Sequence, residues 1–146
     1  IWDDTDGKVS AVVASVGTAG TIRGISDYVK GKNPDVKIVA VEPSADDKYL
    51  TGIHNFTDVP AERVPVNIRE KIYDEVFVAE KDGAFAAAQE VAKTDGVLVG
   101  ISSGAALWGA LQIASRPEYE GKEIVVVLPD TGLRYLSTDL FKAQKL

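Results

Sequence analysis

Two hydrophobic rhythms alternate along the chain. Short, nearly all-apolar runs recur at Val9 to Val16, Val36 to Val41, Glu75 to Val78, Val97 to Ile101 and Glu123 to Leu128. Apolar residues in succession, rather than in alternation with polar ones, mark strands buried on both faces. Between these runs the period lengthens. Ile22, Ile25 and Val29 fall at i, i+3 and i+7 while Arg23, Asp27 and Lys30 face away, predicting a helix that stops around Gly31 to Pro34. Phe85, Ala88 and Ala92 share one face of a second helix, capped by Asp82 and ending near Asp95 and Gly96. A third helix, Ala105 to Arg116, is apolar almost all round and therefore buried, with Trp108 as a core or subunit-contact residue and Pro117 at its end. Ser137 and Thr138 are placed to cap a last short helix to Lys142. Strands alternating with helices predict a single α/β domain over residues 1–146, with three layers: a mostly parallel sheet and helices on both faces.

The stretch from Ser44 to Lys71 breaks both rhythms. It follows Pro43, contains Pro60 and Pro65 with scattered charges, and reads mostly as loop with one short helix near Asp46–Leu50. A loop of that length inside a compact domain is usually functional or the scar of something removed.

Three turns leave the carboxyl ends of strands with small, hydroxyl-bearing residues: Gly17–Thr21, Ser102–Gly104 and Asp130–Gly132. Ligands of open α/β sheets bind in the crevice at those ends, so the three turns are expected to line one pocket. Gly17-Thr18-Ala19-Gly20-Thr21 joins an apolar strand to an amphipathic helix. A small-residue turn there aims free backbone N–H groups and the positive end of the helix at one point, where phosphate is the usual guest. Two plainer alternatives compete with it. The glycines could serve only to turn tightly, or the loop could be a nicotinamide-dinucleotide fingerprint, with Glu42 about 20 residues on as the ribose-binding acid. The fingerprint requires G-x-G-x-x-G, whereas the spacing here is Gly17-x-x-Gly20-x-x-x-Gly24, which ranks that reading second. Ser102, taken alone, reads equally well as a helix N-cap.

Composition narrows the partners. The net charge is −6 with no basic cluster, which argues against nucleic acid and anionic membrane surfaces. No apolar run reaches membrane-span length and no signal-peptide pattern is present. Cysteine is absent and His54 is the one histidine, so neither a disulfide framework nor a zinc site is expected, and a reducing cytoplasm fits. His54 reads as a surface loop residue rather than a base, and Asp3-Asp4 and Asp46-Asp47 as solvated turns rather than paired acids. The chain has no methionine and opens on Ile1-Trp2-Asp3, which reads as a piece of a longer polypeptide or a trimmed start.

Four segments in order, covering nearly the whole chain, carry a family resemblance. They are Val13–Thr21, Ala40-Val41-Glu42-Pro43, Leu98–Ala106 and Val127–Thr138. Together they resemble the carboxyl-terminal half of the cysteine synthase (O-acetylserine sulfhydrylase) family, with cystathionine β-synthase as a cousin, pyridoxal-phosphate enzymes of the tryptophan-synthase-β type. The resemblance implies pyridoxal phosphate as cofactor, held at its phosphate by Gly17, Thr18, Ala19, Gly20 and Thr21 and met at its pyridine nitrogen by Ser102. A neutral hydroxyl there moderates the electron sink, which suits elimination and replacement at the β-carbon of an amino acid. It also implies that the Schiff-base lysine and the substrate-carboxylate loop belong to an amino-terminal half, and nothing in these residues matches either motif. Further departures are Ala19 in place of glycine, Thr131 in place of serine and Leu133 in place of glutamate. A shorter Ser44–Lys71 stands where a glycine-rich closing segment is usual, with Gly52-Ile53-His54 as its remnant. The expectation is therefore a cofactor-binding half that does not catalyse alone, partnered by the missing half and by a second copy of itself. The alternative is a standalone α/β domain that at most holds an anion at Gly17–Thr21.

Overall fold

A computed structural model describes residues 1–142. Strand β1 (Val9–Ser15) is followed by helix α1 (Gly20–Lys32) and strand β2 (Lys37–Pro43). After a long irregular segment come β3 (Glu75–Ala79), helices α2 (Lys81–Thr94) and α3 (Ile101–Ala114), and β4 (Glu123–Val126). The four strands form one parallel sheet in the order β3-β2-β1-β4. Parallel strands buried on both faces need apolar side chains in both directions, which the valine-rich runs supply. Val13, Val39 and Val41 point into a core shared with α2 and α3, while Val12, Ala14, Ile38 and Ala40 point into a second core shared with Ile22 and Val29 of α1. These are the three layers that the sequence predicts.

Where the structure departs from the expectations, local chemistry explains it. Val97 to Ile101 is not a fifth strand: Val99 alone pairs, in a single antiparallel bridge to Thr131. The run is instead the lead into α3, and both Val99 and Ile101 are buried in the core on the α2–α3 side. A short apolar run carries no period that separates strand from buried helix. As a result α3 begins at Ile101 rather than Ala105, and Ser102 and Ser103 sit in its first turn. No helix forms at Asp46–Leu50, because the Asp47 carboxylate accepts from the backbone N–H groups of Tyr49 (2.9 Å) and Leu50 (2.7 Å), locking a turn. Helix α2 starts at Lys81 with Glu80 at its cap position, which leaves Asp82 in the first turn. The last short helix is a 3-10 turn at Gly132–Tyr135, upstream of the expected span. Thr138 instead donates its hydroxyl to Tyr135 O (2.6 Å).

Trp108 is partly buried and packs against the core on the α2–α3 side. Its ring meets Phe77 edge-on, with centroids 5.2 Å apart, and it covers Gly83 of α2 so closely that an added Cβ would lie 2.3 Å from the indole.

Candidate functional site

The strand order places the site. The chain steps from β1 outward to β2 and β3, then returns to the other side of β1 for β4. The carboxyl end of β1 is thus the switch point where an open α/β sheet leaves a crevice. A cavity of about 350 Å³ lies there, lined by Ser15 and Gly17–Thr21 after β1, Gly52–His54 of the irregular segment, Ser102 of α3 and Pro129 beyond β4. The first two expected turns therefore meet in one cavity. The third does not line it: Thr131 bridges to Val99, and Gly132 is buried where an added Cβ would sit 2.7 Å from Val99 O. It supports the cavity wall from behind.

The loop at Gly17–Thr21 has the chemistry of an anion cradle. Among the described residues, the first backbone N–H to find an acceptor after that of Val16 is that of Arg23, which donates to Ala19 O at 3.0 Å. Gly17 to Ile22 therefore present unpaired donors at the N-terminus of α1, where the helix dipole is positive. No acidic residue occupies the first turn of α1 to compete for them. Gly17 packs against the segment opposite, with an added Cβ 3.0 Å from Gly52 O. Asn67 Nδ2 braces the loop from outside by donating to Thr18 O at 3.0 Å. The residues present fit a phosphate group.

Ala19 adopts φ 64° and ψ 12°, the left-handed conformation that a glycine would reach freely. The strain is about 1–2 kcal/mol, but its methyl is 4% exposed, burial worth about 0.8 kcal/mol. Glycine would lose that methyl and add roughly 0.5–1 kcal/mol of chain entropy to the unfolded state. The terms cancel, so Ala19→Gly is expected to leave unfolding free energy within about 1 kcal/mol of wild type in urea denaturation. The alanine thus preserves the loop rather than breaking it.

Ser102 is 7% exposed and reaches the cavity from the first turn of α3. Behind it stands Asp130, whose carboxylate accepts from Ser102 Oγ (3.4 Å), Ser103 Oγ (2.6 Å) and Tyr135 OH (2.7 Å). The bond to Asp130, followed by burial, pushes the Tyr135 phenol above its ordinary pKa.

Glu42 and His54 have roles set by their hydrogen bonds. Glu42 cannot serve as a ribose-binding acid: it is fully buried, and its carboxylate accepts from Phe56 N (2.7 Å), Thr57 N (3.2 Å) and the Thr57 hydroxyl. His54 is exposed, as expected, but its backbone N–H donates to Val16 O at 2.8 Å, which brings Gly52–His54 to the cavity rim. The sequence signal for that placement is the run Gly52-Ile53-His54, which the resemblance marks as the remnant of a closing segment. Among the described residues no group of three or more His, Cys, Asp and Glu side chains converges as a metal site, and no helix is long and apolar enough to cross a membrane.

A donor-rich strand-to-helix loop and a helix-borne serine thus face one crevice of a three-layer α/β fold. The chain belongs to the family described as pyridoxal-phosphate dependent enzymes, whose match takes in residues 1–130. It is 40% identical over 152 residues to cysteine synthase A of Escherichia coli strain K12, covering 97% of this chain and 47% of that protein. To the cysteine synthase of Haemophilus influenzae it is 43% identical over 154 residues, covering 97% and 48%. Among solved structures it superposes on O-acetyl serine sulfhydrylase isoform 3 of Entamoeba histolytica with a TM-score of 0.83 at 42% identity, covering 99% of this chain and 44% of that one. The O-acetylserine dependent cystathionine beta-synthase of Helicobacter pylori gives a TM-score of 0.85 at 27% identity, covering 97% and 47%. The chain thus spans about half the length of the relatives it matches. The three-layer fold is that of the tryptophan-synthase-β-type enzymes.

Proposed function

We propose that this chain is the cofactor-binding half of a pyridoxal-phosphate-dependent cysteine synthase, which exchanges the acetoxy group of O-acetylserine for sulfide. The observation that carries the reading is the convergence of the unpaired N–H groups of Gly17–Thr21 and the Ser102 hydroxyl on one cavity at the switch point of the sheet. In this reading Gly17, Thr18, Ala19, Gly20 and Thr21 hold the cofactor phosphate, and Ser102 meets the pyridine nitrogen. The bound cofactor supplies an electron sink for chemistry at the β-carbon of the amino acid. The lysine that engages the cofactor covalently, and the loop that takes the substrate carboxylate, come from residues outside these 146. The chain alone therefore binds without turning over, and works in the cytoplasm with its amino-terminal half. Leu128, Leu133 and Leu136, on the segment after β4, are large apolar side chains 36%, 64% and 56% exposed, a surface for that half or for a second copy.

Titration of the chain with pyridoxal phosphate, followed by thermal stability, tests the reading. Stabilisation that inorganic phosphate competes away is expected. Thr21→Val removes one hydroxyl from an anion, worth about 1.5–3 kcal/mol for a charge-assisted bond, so affinity should fall by about tenfold or more. Cysteine formation from O-acetylserine and sulfide by this chain alone would overturn the claim that it lacks turnover. A second reading, a standalone domain that takes any small anion on the same unpaired N–H groups, is favoured instead if inorganic phosphate binds as tightly as the cofactor.

A further inference from the structure

Asn67 stands outside the cavity and acts on the loop that lines it. Its Nδ2 donates to Thr18 O at 3.0 Å, and only the nitrogen of the amide can face a carbonyl, which has no proton to give. The segment that carries Asn67 is fastened along α1 at three points. Ile68 is 3% exposed and packs in the same core as Ile22 of α1. Arg23 of α1 donates to Glu70 at 2.9 Å, and Ser26 of α1 donates its hydroxyl to Ile72 O. The bond to Thr18 matters because of what lies at the other end of the same peptide. In a planar trans peptide the C=O and the following N–H point in opposite directions. Ala19 lines the cavity and Asn67 does not, so pinning Thr18 O toward Asn67 aims the Ala19 N–H at the cavity. That N–H has no acceptor among the described residues.

Left unpinned, this peptide gains by turning over. Ala19 holds φ 64°, where its Cβ is crowded by the backbone. Rotating the peptide plane about its long axis alters only Thr18 ψ and Ala19 φ, and brings Ala19 to a negative φ that relieves the crowding. The same rotation carries the N–H out of the cavity and puts a carbonyl oxygen in its place, which repels an anion. We propose that Asn67 is a positioning residue that keeps the Thr18–Ala19 peptide from turning over, and so holds a strained loop in its anion-binding shape. Glycine at position 19 would leave no strain to oppose. With alanine there, the cradle depends on a side chain 49 residues away. This rests on the reading that Gly17–Thr21 take an anion, and names the residue that keeps them shaped for it.

The test titrates inorganic phosphate, and separately pyridoxal phosphate, into the 146-residue chain and three variants: Asn67→Ala, Ala19→Gly and the two combined. Thr18 and Asn67 are both exposed, so water satisfies the freed carbonyl and the urea midpoint of Asn67→Ala should stay close to wild type. Its phosphate affinity should nevertheless fall about three- to tenfold, the share of one hydrogen bond. On the Ala19→Gly background the same substitution should cost less than about twofold, because glycine has no strain to release. A purely structural role for Asn67 would cost the same on both backgrounds. In nuclear magnetic resonance spectra of the wild-type chain, phosphate is expected to move the Ala19 amide proton downfield, and to move it much less in Asn67→Ala. Equal losses on the two backgrounds, no loss at all, or an Ala19 amide that ignores bound phosphate overturns the assignment and leaves the anion-loop reading standing. Failure of the wild-type chain to bind either phosphate or pyridoxal phosphate overturns that reading and this assignment with it.

Discussion

Gly104→Ala is expected to destabilise the chain by about 3 kcal/mol or more, a large part of the roughly 5–15 kcal/mol that holds a domain folded. Gly104 lies on α3 where it crosses α2, and an added Cβ would stand 2.3 Å from Ala84 O and 2.9 Å from Ala88 Cβ. The first of these is backbone, so no side-chain rotation relieves it and the helices must part. Overpacking a tight core costs roughly 1–3 kcal/mol when side chains alone adjust, and a forced backbone shift belongs at or above the top of that range. The change also propagates to function, because α3 carries Ser102 in its first turn. Gly24→Ala is the matched control: it lies within α1 with nothing inside 4 Å of an added Cβ, and helix propensity predicts a gain of about 0.5–1 kcal/mol. Urea denaturation of the two variants should move the midpoints in opposite directions. Equal midpoints would mean that the α2–α3 contact is loose and that Gly104 is not there for packing.

Much of this architecture is legible in the sequence because the sheet is parallel and buried. Val12 to Ala14 and Ile38 to Val41 are contiguous apolar runs, and contiguity itself announces burial on both faces. The anion loop is legible for a similar reason: its function resides in backbone N–H groups, and small residues between a strand and a helix are enough to expose them. What stays hidden is set by contacts between distant residues. Val97–Ile101 satisfies every local criterion for a strand, yet Gly100 and Ser103 are claimed by Asp130 and the run is drawn into the helix layer. Nor does local pattern place Gly52–His54 at the cavity, since the His54–Val16 bond joins the loop to β1's end across the whole of α1 and β2. The backing of Ser102 by Asp130 spans 28 residues and has no periodic signature at all.

The same logic makes Glu42 a structural test of how the irregular segment serves the cavity. Its carboxylate, at the end of β2, gathers the backbone N–H groups of Phe56 and Thr57 and the Thr57 hydroxyl, just beyond the Gly52–His54 rim. Glu42→Leu keeps the volume but leaves two backbone donors without their acceptor, and a buried unpaired donor costs about 1–3 kcal/mol. A loss of about 2–5 kcal/mol in unfolding free energy is expected, read from urea denaturation, and Glu42→Gln should recover part of it because its carbonyl oxygen still accepts from Phe56. Loosening should begin locally, in a segment that relies on few regular backbone bonds. Amide exchange at Phe56 and Thr57 is expected to accelerate before that of Val39 and Val41 in the sheet, and phosphate affinity to fall even where the fold survives. If affinity is unchanged while those amides open, the Gly17–Thr21 loop is self-sufficient and the facing rim contributes nothing to anion binding. If both are lost together, the long irregular segment is the second wall of the site, and its departure from regular structure is the means by which it reaches around the carboxyl end of β1.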